Sequence, residues 1–529
     1  MNTTTPSSRF FITYLKITAI ICGALVMVIE VLGSRVIGPF FGVSLYVWTS
    51  LIAVTLIALS LGYALGGIYA DRRNNADTLF FIILLSGISV LVIPLIKGTV
   101  LTIAMPLGLR AGAFTSALIL FGPSLFLLGC VSPYLIKITA KELHSIGRTV
   151  GGFYALSTFG SVLGTFITGF FLIVFLSVEK IFWITGLLLI LLAIVYFIAF
   201  KRKWLTAISL ILPILAIPSE ETFSSQAPDG TRLERIFKKD SYYGQLSVVD
   251  YKYGHKHIRE VMIDGLIQGG IDMTNMLSIN DYQYFLQFIP MALNPNGKRC
   301  LVIGLGAGLI PRWYETQGVI TDVVDIDPLI IDIAKKYFDF NPSGDTFASD
   351  ARYFLSTTDR QYNYIILDVF TGDLTPGHLI SQEAFELVSK RLKPNGILAM
   401  NLIGSVNKDN YMTASVIKTI HTVFKHVEIY PVFDAKEELD STGGIGNLAV
   451  VAYNGEKLHS KFNNIDPSMI HPKLQKRVLN NIQQQYSFAK NQDAVVLTDD
   501  YNPIDFYDVA LRETIRKNLV DYVNWDLLM

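Results

Sequence analysis

Apolar residues run almost unbroken through the first two hundred positions, then give way to short alternating strand and helix signals. Apolar runs lie near 10–33, 45–70, 77–97, 112–136, 151–176 and 179–200. Each is long enough to cross the ~30 Å hydrocarbon layer as a helix. The pattern predicts six spans. A shorter run at 204–218 contains two prolines and is a doubtful seventh. Residues 1–218 therefore read as a helical membrane domain, 219–240 as a polar linker, and 241–529 as a second domain.

In that second domain the apolar period changes from helical to strand-like. Gln245–Asp250 and Arg259–Gly265 flank a Tyr-Gly turn and predict a β-hairpin. Strand signals follow at 299–304, 320–325, 345–349, 363–368, 396–402, 426–431 and 446–452. Helix signals lie between them at 308–317, 328–337, 381–391 and 409–424. Such alternation predicts a largely parallel sheet covered on both faces. The fold class is thus a multi-span α-helical membrane domain plus an α/β Rossmann-like domain led by an N-terminal β-hairpin. Thr498–Pro503 reads as a turn before a last helix.

Within the membrane half, Gly62, Gly66 and Gly67, and then Gly152, Gly160, Gly164 and Gly169, are spaced for close helix packing. That reading is preferred over a transport path. Glu30 lies late in the first span with Arg35 as its candidate partner, and Asp71-Arg72-Arg73 closes the second. Arg9, Lys16, Arg72, Arg73, Lys137, Lys141, Arg148 and Lys201-Arg202-Lys203 all fall on one side, which should be cytoplasmic. If 204–218 crosses, the following chain lies outside. If the run is re-entrant or lies flat, it stays in the cytosol. The sequence leaves both open.

Composition adds little to this division. Of 529 residues, 51% are hydrophobic and 17% charged, against about 25% charged in ordinary soluble domains. Lys and Arg balance Asp and Glu at 44 each, and no long basic run points to nucleic acid. Cys22, Cys130 and Cys300 are far apart and read as buried apolar residues, without metal-ligand spacing. No cleavable signal is recognisable, so the first apolar run reads as a retained span.

The candidate chemistry sits at the strand ends, where open α/β sheets bind their ligands. Cys300–Ile303 runs into Gly304-Leu305-Gly306-Ala307-Gly308, a turn in which backbone can approach a nucleoside. The next strand ends on Asp325, the third on Ser349-Asp350-Ala351, and the fourth on Asp368, with Asp373 five residues on. Asp327 and Asp373 are more readily helix N-caps. Together, Asp325, Asp350 and Asp368 point to a ligand site. A methyl transfer would chiefly need positioning of its donor. An amine alkylation would also need a carboxylate to accept a proton. Asp368 is placed for that task, with Asp373 beside it.

These residues resemble the spermidine synthase family of polyamine aminopropyltransferases, over roughly 240–455. Tyr243-Gly244-Gln245 resembles its opening strand, and Asp264-Gly265-Leu266-Ile267-Gln268 its Asp-Gly-x-x-Gln element. Tyr282 matches a substrate-pocket tyrosine, with Gln283 beside it. The resemblance implies a domain of the class I methyltransferase type, with Asp368 as catalytic proton acceptor. It implies Gln245, Gly304, Gly306, Gly308, Asp325, Asp350 and Ala351 as cofactor-binding, and Gln268, Tyr282, Gln283 and Asp373 as substrate-binding. Gly147–Ala155 and Leu497–Asp500 resemble bacterial proteins that fuse a multi-span region to such a domain. The resemblance thus implies a multi-pass protein of the inner (plasma) membrane, a small-molecule amine substrate, and a homodimer. It implies decarboxylated S-adenosylmethionine or S-adenosylmethionine as co-substrate and no metal.

The chain also departs from the family. Ala307 stands where the soluble synthases carry an acid expected to hold the donor's amine, and Tyr284 replaces an expected carboxylate. The catalytic strand end reads Asp368-Val369-Phe370-Thr371, where Asp-x-x-Asp is expected. Aminopropyl transfer is the leading expectation. The alternatives are another S-adenosylmethionine-dependent transfer onto a membrane-borne acceptor, or a transporter with a nucleoside- or polyamine-sensing domain.

Overall fold

The computed structural model describes residues 9–42, 45–140, 146–215, 217, 224–227, 229–369, 376–407, 410–435, 444–459, 462, 465–487 and 493–504. It divides into two compact units, the first ending at Glu221 and the second beginning at Thr222.

The first unit is helical. Among the described residues, five apolar helical stretches are long enough to cross a membrane. The longest, Ala76–Thr139, folds back on itself: Gly108, at φ +80°, ends a 3-10 turn over Met105–Leu107. The result is six long helices: α1 (Arg9–Phe41), α2 (Leu45–Arg72), α3 (Ala76–Ala104), α4 (Gly108–Thr139), α5 (Ile146–Ile167) and α6 (Val178–Lys201).

Small residues set their packing. A β-carbon on Gly160 or Gly164 would strike the carbonyl of Ile20 or Ala24 in α1, and one on Gly62 or Gly66 would strike α4. Gly152 and Gly169 meet nothing within 4 Å, and Gly67 only Pro133 at that distance. Ion pairs tie the helix ends: Asp71–Lys137 at 2.7 Å and Asp77–Lys201 at 3.0 Å at one end, Lys97–Glu179 at 2.7 Å at the other. Asp71 thus pairs with α4, although two arginines follow it in sequence.

The doubtful run at 204–218 contains no α-helix of spanning length. It forms a 3-10 helix over Trp204–Leu210 and a short α-helix over Ile211–Leu215, and Pro213 lies in the latter. Its packing is ordered: Trp183 Nε1 in α6 donates to the Pro213 carbonyl at 2.6 Å, and Leu210 packs beside Ile190 and Ile194. Every third residue on the other face, Leu205, Ile208, Ile211, Ile214 and Ile217, is more than half exposed. Such eclipsing at i and i+3 is a property of 3-10 geometry.

The second unit holds two sheets. The first is antiparallel with order β1-β2-β3-β4-β5-β6: β1 (Ser224–Gln226), β2 (Arg232–Asp240), β3 (Gln245–Tyr253), β4 (Lys256–Ile263), β5 (Leu266–Asp272) and β6 (Leu277–Ser278). The predicted hairpin is its β3–β4 pair. Residues 224–226 and 232–240, read above as linker, are strands, which corrects that reading. The alternation of Leu233, Phe237 and their neighbours is masked in the sequence by Arg232, Glu234, Arg235, Lys238 and Lys239.

The second sheet has seven strands in the order β12-β13-β11-β10-β7-β8-β9: β7 (Arg299–Ile303), β8 (Ile320–Asp325), β9 (Thr346–Ala348), β10 (Tyr362–Leu367), β11 (Leu392–Ser405), β12 (His426–Pro431) and β13 (Ile445–Tyr453). All neighbours are parallel except β13, which is antiparallel to β11 and β12. Alternate residues feed two cores. Cys300, Val302, Tyr364, Ile366, Ile397 and Ala399 face one, and Leu301, Ile303, Ile365, Leu367, Leu398 and Met400 the other. Both faces are covered, which is why these strands read as unbroken apolar runs. The strand order reverses between β7 and β10, so their carboxyl ends frame the crevice where such sheets bind ligands.

Candidate functional site

The site begins where β7 stops. Gly304 turns the chain at φ +88°, and a β-carbon there would collide with the Asp368 carbonyl at the end of β10. Only glycine lets these two strand ends meet. Gly306, at φ +51°, lies under β5, where a β-carbon would come to 2.6 Å from the Gln268 carbonyl. Gly308 begins the helix Leu309–Thr316. Ala307 is buried, and a β-carbon on Gly269 would stand 2.9 Å from its methyl group. The first sheet therefore roofs the glycine turn.

Asp325, at the end of β8, accepts from Leu305 N at 2.8 Å and from Asp327 N at 2.9 Å. Burial pushes its carboxyl up to about 6, against the pull of these backbone donors. Asp327 caps the helix Pro328–Tyr337 through Leu329 N at 2.9 Å. Asp350 is also an N-cap: Oδ1 accepts from Tyr353 N at 2.9 Å, while Oδ2 lies 3.2 Å from His378 Nε2. Ala351 follows it, buried, at the start of that helix. Tyr243 is largely exposed, and desolvation, followed by the charges of Asp327, Asp350 and Asp325, raises its hydroxyl. Gln245 is anchored through its backbone to Asp264 Oδ1 at 2.8 Å, and its side chain reaches Asp240 at 3.3 Å. The Gln268 side chain bonds the Leu266 carbonyl at 3.3 Å.

Asp368 sits at the centre. Asn401 Nδ2 donates to its Oδ1 at 3.0 Å, and the Tyr282 hydroxyl donates to the same carboxylate. Burial pushes Asp368 up to about 6, and these two donors hold it from rising further. Both donors are neutral. Burial, and then the charge of Asp368, lifts Tyr282 well above its ordinary value, so it stays a donor. Gln283 Nε2 donates to the Tyr282 hydroxyl at 3.4 Å, and Ser278 holds Gln283 Oε1 at 2.7 Å. Behind Asn401, Asn447 Nδ2 donates to its Oδ1 at 2.9 Å.

Tyr282, Gln283 and Asp368 thus form one hydrogen-bonded group, with Gly304 beside it and Gly306 under Gln268. Asp325 joins through the backbone of the glycine turn. Asp373 lies outside the described residues. Sequence reasoning missed Asn401, Asn447 and His378. The available signal was an asparagine in the otherwise apolar run Ile397–Leu402, since a buried amide requires a partner. Among the described residues, no group of three or more His, Cys, Asp or Glu side chains is arranged for a metal ion.

Chemically, the arrangement offers a near-neutral carboxylate for a proton, a glycine cradle, and an acid beside it for vicinal hydroxyls. Residues 280–433 match the sequence model of the spermine/spermidine synthase domain. An N-terminal histidine N-methyltransferase of Emericella nidulans is 34% identical over 139 residues, 25% of each chain. A polyamine aminopropyltransferase of Vibrio vulnificus is 33% identical over 135 residues, 23% of this chain and 44% of the relative. One of Alkaliphilus metalliredigens is 31% identical over 180 residues, 31% of this chain and 58% of the relative. This chain thus spans from a quarter to somewhat over half of these relatives. The crystal structure of a probable spermidine synthase from Corynebacterium glutamicum aligns over 45% of this chain and 82% of its own, at 19% identity and a TM-score of 0.35.

Proposed function

We propose, on the premise that residues 280–433 form a spermine/spermidine synthase domain, that the second unit is an S-adenosyl-dependent amine alkyltransferase of the aminopropyltransferase type. The amine nitrogen attacks the donor carbon attached to the sulfonium. The N–C bond forms, the C–S bond breaks, the electron pair returns to sulfur, and methylthioadenosine leaves. Asp368 takes the proton that the amine must lose. The observation that carries this reading is the Asp368 carboxylate, held at about 6 between two neutral donors beside the glycine turn.

In this reading Gly304, Gly306, Gly308 and Asp325 hold the adenosine ribose. Asp350 and Ala351 flank the base, and Gln245 contacts the donor. Tyr282, Gln283 and Gln268 line the acceptor side, and Asp373 keeps the substrate-binding role that the resemblance gives it. The five apolar helical stretches support placing the first unit in the inner membrane as a multi-pass anchor. Full-length protein given decarboxylated S-adenosylmethionine and a panel of amines should release methylthioadenosine, and Asp368→Asn should release it at least about a hundredfold more slowly. No methylthioadenosine from any amine would sink the proposal.

A second reading, methyl transfer from S-adenosylmethionine to an amine or imidazole of a membrane-borne acceptor, is favoured by Ala307. Its buried methyl group gives a cationic donor tail no counter-charge. The methyltransferase name of the Emericella nidulans relative points the same way. Release of S-adenosylhomocysteine in place of methylthioadenosine selects this reading.

A further inference from the structure

We infer that Asn447 is a positioning residue for the proton acceptor: it fixes the Asn401 amide so that Nδ2, and not Oδ1, faces Asp368. The inference rests on the reading of Asp368 as that acceptor.

An asparagine amide presents a donor on one side and an acceptor on the other, and the two have nearly the same shape. Asn401 is 1% exposed on β11, so water does not choose its orientation. One orientation gives Asp368 a donor at 3.0 Å. The other sets a carbonyl oxygen against the carboxylate. Asn447 reinforces the first: its Nδ2 lies 2.9 Å from Asn401 Oδ1 and donates to it, which holds the Asn401 NH₂ toward Asp368.

The register explains the reach. Asn401 pairs across the sheet with Ala449, and Asn447 with Ile403, so the two asparagines are diagonal neighbours on one face of antiparallel strands. Asn447 does not touch Asp368, yet the order of the relay sets how well the carboxylate is held ionised. Hydrogen bonds to the charged form lower a carboxyl's proton affinity, and losing one lets burial dominate. Among the described residues, the groups facing Asp368 are few. The Asp281–Leu293 helix presents the titratable Tyr282, β11 presents the Asn401 amide, and the end of β7 presents backbone at Gly304. Without the amide, only Tyr282 among the described residues would oppose desolvation.

The test uses the full chain in detergent and two readouts. In one, the carboxyl carbon of Asp368 is followed by ¹³C NMR against pH and assigned by its loss in Asp368→Asn. In the other, the acid limb of kcat/KM is measured. Asn447→Leu removes the donor without adding charge. Asn447→Asp is isosteric and, as an acceptor, obliges Asn401 to reverse. The inference expects both variants to raise the Asp368 midpoint by about one pH unit, a tenfold change in proton affinity. The acid limb should follow it, while activity well above the new midpoint stays within about twofold.

A shift in Asn447→Asp alone would reduce the effect to added charge and overturn the inference. So would an unmoved midpoint in both variants, or a loss of activity that is equal at every pH. The NMR titration does not depend on turnover. Failure of the transfer reaction would therefore sink the functional reading and leave the relay to be judged on the titration alone.

Discussion

The backbone carbonyl of Gln268 lies against the α-carbon of Gly306, so close that a β-carbon would stand 2.6 Å from the oxygen. This contact joins the small sheet to the glycine turn, and it makes the turn's shape depend on β5. Gly306→Ala should therefore do two kinds of damage. The left-handed backbone at φ +51° costs an alanine roughly 1–2 kcal/mol, and the clash must displace either β5 or the turn. The expected result is a lower thermal midpoint and at least a tenfold loss of methylthioadenosine affinity by calorimetry. Unchanged affinity would show that the turn does not form the nucleoside cradle.

Asp368 should govern the pH profile. Its carboxyl sits at about 6, and only the ionised form accepts a proton. Activity should thus be retained above that value and lost as pH falls through it, with kcat/KM dropping about tenfold per pH unit. Asp368→Asn should remove the acid limb and lower the rate by roughly 10²–10⁴-fold, the usual contribution of a positioned base. A variant as active as the native protein would remove Asp368 from the chemistry.

Ala307→Asp tests whether the departure at the glycine turn can simply be reversed. The methyl group is 1% exposed and packed on Gly269, so a carboxylate there would be crowded and without a cation. An uncompensated buried charge costs about 3–5 kcal/mol. The variant should lose thermal stability and gain no preference for decarboxylated S-adenosylmethionine. A stable variant that binds the decarboxylated donor better would show that the site still has room for an amine subsite.

Asp499 should act as a conditional staple. It accepts from Arg352 Nη1 and from Ser381 Oγ, both at 2.7 Å, tying the turn at 498–501 to two helix starts. The Arg352 hydrogen bond holds its carboxyl below the ordinary range. A depressed carboxyl stabilises the fold above its unfolded value near 3.9 and loses that contribution as pH falls through the folded one. Asp499→Ala should cost about 1 kcal/mol, since the pair is partly exposed. The difference from the native thermal midpoint should shrink on acidification from pH 5 to pH 3. A difference that does not depend on pH would assign the effect to packing.

How far the sequence carried the fold follows from burial. β7, β8 and β10 lie between two cores, so their apolar runs mark them to within a residue or two. β2 has Arg232, Glu234, Lys238 and Lys239 along it, and its composition resembles a linker. In the site, the glycine turn and strand-end acids were legible because backbone sterics demand glycine at Gly304 and Gly306. Asp350 reads as ligand-binding, and its Oδ1 in addition caps the helix that follows it. Asn401 stands out only as a polar residue in an apolar run, and nothing in the sequence links it to Asn447. They are 46 positions apart, and only the antiparallel β11–β13 register makes them neighbours.

The segment after α6 yields the last prediction. Trp183 lies 18 positions before Lys201, or ~27 Å along the helix at 1.5 Å per residue. Its hydrogen bond to Pro213 places that residue far back along α6 from the Lys201-Arg202-Lys203 end. A 3-10 helix rises ~2.0 Å per residue, so the seven residues Trp204–Leu210 climb ~14 Å. The five α-helical residues that follow add ~7.5 Å. The exposed stripe of Leu205, Ile208, Ile211, Ile214 and Ile217 gives the whole climb an apolar face suited to lipid. The ~21.5 Å climb is shorter than the ~30 Å hydrocarbon layer, so the expected crossing is one over which the bilayer thins, and it would select between the two orientations that the sequence leaves open. Cys22, Cys130 and Cys300 are buried, so single Lys203→Cys and Ile217→Cys variants can be labelled with a membrane-impermeant maleimide over a low background. In sided vesicles the two should react from opposite faces, Lys203→Cys from the side that carries Arg9, Arg72 and Arg73. Labelling of both from one face would show that the run turns back within the bilayer.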